Sequence, residues 1–196
     1  LFYGGRRRRG DVAHFCELSI ARRALEGFRL IVCVVDIVHG PNHDISRGGA
    51  EFFWDQVKRG RVAATGAAPP CETFAISRWA DQGWHDRKNP VPLRSAYELW
   101  GRKDLTPKEQ RQVRTSNVLL IYAIAFATLA AIYGTASWTE HPDLIKRHEW
   151  LSAPSIWMLE QTKRLKVLPN AFTHRLQHCT FGGKTRKPTR LLTVNM

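Results

Sequence analysis

Two patterns of apolar and polar positions alternate along this chain: short continuous apolar runs bounded by glycine or proline, and longer stretches at helical spacing. Residues 1–5 (Leu-Phe-Tyr-Gly-Gly) read as a short apolar strand ending in glycines. A helix is predicted over 11–26, with Asp11 as N-cap and Gly27 as its stop. Residues 30–35 (LIVCVV) form a continuous apolar run with four β-branched side chains, the pattern of a strand buried on both faces, and the run ends at Asp36. A helical stretch over 49–59, a strand near 62–65 and a loop over 66–74 follow. Residues 77–104 are polar and irregular, rich in Trp, Pro and Arg. A long helix is predicted over 107–133, with Pro107 at its first position after Thr106. A strand over 135–139, a helix over 154–165 and strands over 171–179 and 190–194 complete the pattern.

Strands alternating with helices predict an α/β fold: a mostly parallel sheet with helices on both faces, in one domain spanning 1–196. In such sheets ligands bind beyond the carboxyl ends of the strands. The apolar run 118–133 (VLLIYAIAFATLAAIY) is shorter than the roughly 20 residues that span a bilayer. It is rich in Ala and continues a polar lead-in, so it is expected to be the buried part of a helix covering the sheet, with no membrane partner.

Composition sharpens the choice of partner. The chain has 196 residues, 43% of them hydrophobic, enough for one core, and its formal net charge is +13. A surplus of that size favours a polyanion, nucleic acid first. Dense basic runs stand at Arg6–Arg9 and Lys184–Lys187, while scattered Lys and Arg ordinarily make a solvated surface. Four cysteines lie far apart without a CxxC pair, and the opening stretch lacks a secretory leader pattern. Both point to a reducing, intracellular compartment, nuclear in a eukaryote. The chain opens on Leu1 within a strand-like stretch, which suits a fragment of a longer region.

The strand ends carry the candidate chemistry. Gly4 and Gly5 allow a tight turn close to a ligand, although many strand-to-helix turns use glycine. Asp36 stands where an acid commonly accepts hydrogen bonds from a ribose, or simply caps a turn. His43-Asp44-Ile45 is a third polar strand end. The most informative segment is Ala68-Pro69-Pro70-Cys71-Glu72-Thr73-Phe74, where two prolines stiffen the backbone before a cysteine. A lone cysteine is most often a small buried hydrophobe. Held on a rigid loop at the ligand edge, it has the positioning a nucleophile needs. Thr139-Glu140-His141-Pro142 places a carboxylate at another strand end, where a plain surface acid is the alternative.

In this order the segments resemble the DNA (cytosine-5) methyltransferase family. Residues 1–5 look like its glycine-bearing first motif, with Phe2, Gly4 and Gly5 facing the methyl donor. Asp36 matches its ribose-binding acid, and Asp44-Ile45 the motif that approaches the adenine. Residues 66–74 resemble the Pro-Cys nucleophile loop, with Pro69 beside the donor and Glu72 where the family usually has Gln. Glu140-His141-Pro142 is similar to its Glu-Asn-Val motif, and Phe181 through Leu192 to its late arginine-bearing element. The resemblance implies the Rossmann-like fold of S-adenosylmethionine-dependent methyltransferases. It also implies methyl transfer to C5 of a cytosine in DNA, with S-adenosylmethionine as donor. Cys71 would add to C6 of a flipped cytosine, and Glu140 would bind the cytosine edge. Arg186 and Arg190 would favour the thiolate and hold phosphates, with Arg78, Arg94, Lys184 and Lys187 as further nucleic-acid contacts.

The chain departs from the family at three places. Arg6 replaces a small residue in the first turn, and Thr185-Arg186-Lys187-Pro188-Thr189-Arg190 replaces the paired arginines. The family's target-recognition region and last helix have no counterpart in the 196 residues. A basic nucleic-acid-binding module that keeps the fold without the chemistry is therefore the alternative, and RNA remains an open substrate. The 77–104 region reads either as a lid on nucleic acid, through Trp79, Trp84 and Arg94, or as aromatics packed on the sheet. His174, His178 and Cys179 fall on a predicted strand, which scatters them between faces, so no metal site is expected.

Overall fold

The computed structural model describes residues 14, 31–36, 39–45, 48–75, 78, 91–143, 153–181 and 187–196. Helix α1 (Ala50–Lys58) precedes strand β1 (Ala64–Ala67), and helix α2 (Pro107–Tyr133) leads to strand β2 (Ala136–Pro142). A 3-10 turn (Ile156–Met158) and helix α3 (Glu160–Lys166) follow, then strands β3 (Ala171–Gln177) and β4 (Pro188–Val194). The strands line up in the order β1-β2-β4-β3.

This sheet corrects the expected architecture. Among the described residues only β1 and β2 form a parallel ladder; β2–β4 and β3–β4 are antiparallel. The described helices pack on one face, so the Rossmann-like, mostly parallel sheet covered on both faces is not what forms. The reason lies partly in the connections. The link from β1 to β2 is long and contains a helix, as a parallel crossover requires, whereas β3 and β4 pair antiparallel across a short link. The run 30–35 also fails as a strand: residues 31–36 are irregular apart from a bridge at Val35, and Ile31 is 72% exposed. An apolar run predicts burial, but without a ladder partner it is no strand. The predicted strand 1–5, and the helix 11–26 apart from helical His14, lie outside the described residues.

α2 is specified at both ends. Thr106 and Glu109 form a reciprocal capping box, Pro107 occupies the first turn, and Gly134 at φ 70° stops the helix in the left-handed region. Its buried positions, Val113, Ser116, Leu120, Ala123, Phe126, Ala127 and Ala130, recur at helical spacing and form its inner face. Leu120 and Ala127 join Phe74, Ile156, Trp157, Leu159, Leu165 and Leu192 in one cluster. Ala123 and Phe126 join Val35, Ile45, Ala50 and Ala67 in a second. By length and composition α2 could cross a membrane, with 33% of its most apolar window buried. Its outer side exposes Val118, Ile121 and Ile132. The first turns are less favourable: Lys108 at the second position opposes the helix dipole, at a cost of about 0.3–1 kcal/mol.

The other sheet face carries Trp138 and Glu140. Trp138 lies opposite Gly66 in the β1–β2 register. A Cβ on Gly66 would sit 2.2 Å from the indole Cε2, so only glycine lets this ring lie across β1. That close approach brings β1 and β2 together where their loops emerge.

Candidate active site

β1 and β2 are adjacent and parallel, so the chain leaves both strands at the same end of the sheet. From β1 it runs through buried Pro69 and half-buried Pro70 to half-buried Cys71, then into a 3-10 turn over Glu72–Phe74 closed by Phe74 N–H donating to the Cys71 carbonyl (2.9 Å). α2 holds that turn from one side. Gln112 Nε2 donates to Glu72 Oε1 (3.2 Å), and Thr73 Oγ1 and Ser116 Oγ share a hydrogen bond of 2.9 Å. Arg78 fastens it further, donating from Nε to the Glu72 carbonyl and from Nη1 to the Val91 carbonyl.

Arg94 holds the turn from within. It is fully buried (0% exposed) and donates from Nε to Thr73 Oγ1 (3.0 Å) and from Nη1 to the Leu99 carbonyl (2.6 Å). Its Nη2 has no hydrogen-bond partner among the described residues. Burial pushes its pKa down to about 10, which leaves it a cation at neutral pH. Phe74 in turn stands edge-on to His141 of β2, with ring centroids 5.4 Å apart. The Cys71 loop is thus packed against β2 on its His141 face, the face away from Glu140.

Glu140 and His141 point to opposite faces of β2, as neighbours in a strand must. Glu140 keeps one oxygen, Oε1, buried without a hydrogen bond among the described residues, and Lys187 Nζ lies 3.7 Å from it. His141 is 1% exposed, and neither ring nitrogen has a hydrogen-bond partner among the described residues. Burial chiefly, helped by the charges of Lys187 and Arg94, pushes its pKa down to about 3 and keeps the ring neutral. Just past β2, Asp143 is clamped by Arg175 (3.1 Å) and Arg190. Arg190 also lies over the Trp157 ring, whose Nε1 donates to the Pro142 carbonyl (2.9 Å).

The structure divides the expected site between the two faces of the sheet: the turn after Cys71 packs on the His141 face, and Glu140 with Lys187 lies on the other. Cys71, Pro69, Glu140 and Lys187 are placed around the ends of β1, β2 and β4. Arg190 is engaged with Asp143, on the face of the sheet opposite Glu140. Arg94, expected at a nucleic-acid surface, is buried and offers none; Leu93 beside it is also fully buried, whereas the described aromatics of the region, Tyr97 and Trp100, are exposed. Arg78 is tied into the loop. Phe2, Gly4, Gly5, Trp79, Trp84, Lys184 and Arg186 lie outside the described residues. Asp36 and Asp44 adjoin Val35 and Ile45, which share a buried cluster with Ala67 at the end of β1.

Sequence reasoning missed Thr73, Ser116 and Asp143. Asp143 had a signal, being an acid at the end of the same strand as Glu140. Thr73 and Ser116 had none, since their contact joins residues far apart in the chain. An apolar groove of about 410 Å³ on the outer side of α2, lined by Trp100, Ile121, Ile124, Ala125 and Gln161, offers no titratable group. Compared with models of known protein families, with curated proteins and with solved structures, the chain finds no match.

Proposed function

We propose that the chain transfers a methyl group from S-adenosylmethionine to C5 of a cytosine in DNA, through a covalent adduct on Cys71. One observation supports the reading: the stiffened Pro-Pro-Cys loop leaves β1 at the end where its parallel neighbour β2 carries Glu140, whose buried Oε1 makes no hydrogen bond among the described residues. S-adenosylmethionine supplies an electrophilic methyl on a sulfonium. Asp36 and Asp44 hold its nucleoside end. Cys71 Sγ, as thiolate, bonds to C6 of the cytosine and the C5–C6 double bond opens, which makes C5 the nucleophile. Glu140 binds N3 and the amino group, countering the charge that moves onto the ring. C5 takes the methyl group as the donor departs as a thioether. Water then takes the C5 proton, the electron pair it leaves re-forms the C5–C6 double bond, and the C6–S bond breaks to release Cys71 as thiolate. The net charge of +13 supports nucleic acid as the partner.

The test is an adduct assay with labelled S-adenosylmethionine and DNA containing 5-fluorocytosine, whose C5 fluorine blocks the final elimination. A labelled covalent complex that disappears in Cys71→Ser is expected. Its absence from the wild-type chain, when donor binding is detected, overturns methyl transfer and leaves a basic nucleic-acid-binding module.

A further inference from the structure

Most described cations are engaged. Arg59, Arg102, Arg164, Arg175, Arg190 and Lys187 pair with carboxylates. By contrast Lys103, Lys108, Arg111 and Arg114 are exposed, and their side chains make neither a hydrogen bond nor an ion pair among the described residues. All four lie within or just before the first two turns of α2. The nearby acids are committed elsewhere: Asp104 to Arg102 (2.6 Å), Glu109 to the capping box and Glu72 to Gln112.

This arrangement works against the helix that bears it. Lys108 sits at the positive end of the helix dipole. Lys108–Arg111 and Arg111–Arg114 are like-charge pairs at i,i+3 spacing, which repel. A polyanion laid along the stripe relieves both. Position matters as well: Lys108 lies one turn before Gln112, on the side of α2 that holds the Cys71 loop through Glu72. Arg111 and Arg114 follow around the helix toward its outer side.

We infer that Lys108, Arg111 and Arg114, with Lys103 at the entry, form the phosphate-contacting surface that seats nucleic acid beside Cys71. This inference rests on the nucleic-acid part of the function proposed above and replaces buried Arg94 as the source of backbone contacts. It requires only that phosphates lie on this face, not that methyl transfer occurs.

The experiment is the salt dependence of binding to a short DNA duplex by the full chain, compared with Lys108→Gln/Arg111→Gln/Arg114→Gln. Each phosphate contact contributes about 0.9 to the slope of log affinity against log salt. The triple variant is therefore expected to lose roughly 2–3 units of slope while keeping the wild-type helical circular dichroism. A control, Lys58→Gln/Lys163→Gln, removes two other exposed, unpaired cations and is expected to keep the slope. An unchanged slope in the triple variant, or an equal loss in the control, overturns the inference. So does wild-type binding to anionic phospholipid vesicles but not to the duplex. A fall in slope without any fluorocytosine adduct preserves this surface while the covalent reading fails; an adduct with an unchanged slope does the reverse.

Discussion

The guanidinium carbon of Arg94 lies 4.0 Å from the centre of the Phe74 ring, inside the protein, with its Nε on Thr73. Both contacts fall on the turn that begins at Cys71. A buried arginine ordinarily faces a carboxylate; this one faces an aromatic ring, a hydroxyl and a carbonyl, all neutral. Its cost in desolvation is met by a clamp on the loop.

Arg94→Met keeps the length of the side chain and removes the fork. It is expected to destabilise the fold by about 2 kcal/mol in urea titrations, from the lost charge-assisted hydrogen bonds and ring contact less the desolvation relieved. Alkylation of Cys71 should also change relative to exposed Cys33 and Cys179, read by peptide mass spectrometry. Arg94→Lys should restore less than half of either effect, since one ammonium cannot serve Thr73 and Leu99 together. A methionine variant as stable as wild type, with Cys71 unchanged, would show that the clamp does nothing.

His141 predicts a pH dependence. Its folded pKa of about 3 lies below the ordinary 6.5, so the unfolded chain binds a proton that the folded chain refuses. The contribution is fully present above pH 6.5 and is lost as pH falls toward 3. The slope approaches about 1.4 kcal/mol per pH unit. His141→Phe preserves the aromatic contacts with Phe74 and Trp157 and should flatten stability between pH 6.5 and 4. Parallel pH profiles for the two proteins would refute the assignment.

Asp143 separates a buried pair from an exposed one. Arg190 has 10% of its side chain exposed and Arg175 has 68%. Asp143→Asn leaves Arg190 charged and buried, at a cost of about 3 kcal/mol, whereas Arg175→Gln should cost under about 1 kcal/mol. Chemical denaturation of both variants checks the ratio, and equal costs would contradict it.

Local features were readable in the sequence and long-range ones were not. Thr106, Pro107 and Glu109 announce the start of α2, and Gly134 its end, because capping depends on neighbours in the chain. The strand expected near 62–65 forms at 64–67, into the expected loop, and the acid expected beyond a strand at 135–139 lies inside β2, because strand ends are set by ladder partners rather than by the apolar run itself. Run 30–35 misled because apolarity shows a preference for burial and says nothing about a pairing strand. The mostly parallel sheet failed for a related reason: strand direction is set by partners, and β4 pairs with both β2 and β3. Arg94 looked like a surface cation because a polar, irregular segment carries no period that would reveal a buried side chain.

The place of β4 also orders assembly. It is the last of the four described strands to be synthesised, yet it lies between β2 and β3 and supplies ladder contacts to both. On the ribosome β1, α2 and β2 can associate once residue 142 is free, whereas β3 must wait with its backbone unpaired until residues 188–194 emerge. During that interval β2 has an open edge beside Glu140, one that another chain's strand could occupy in place of β4.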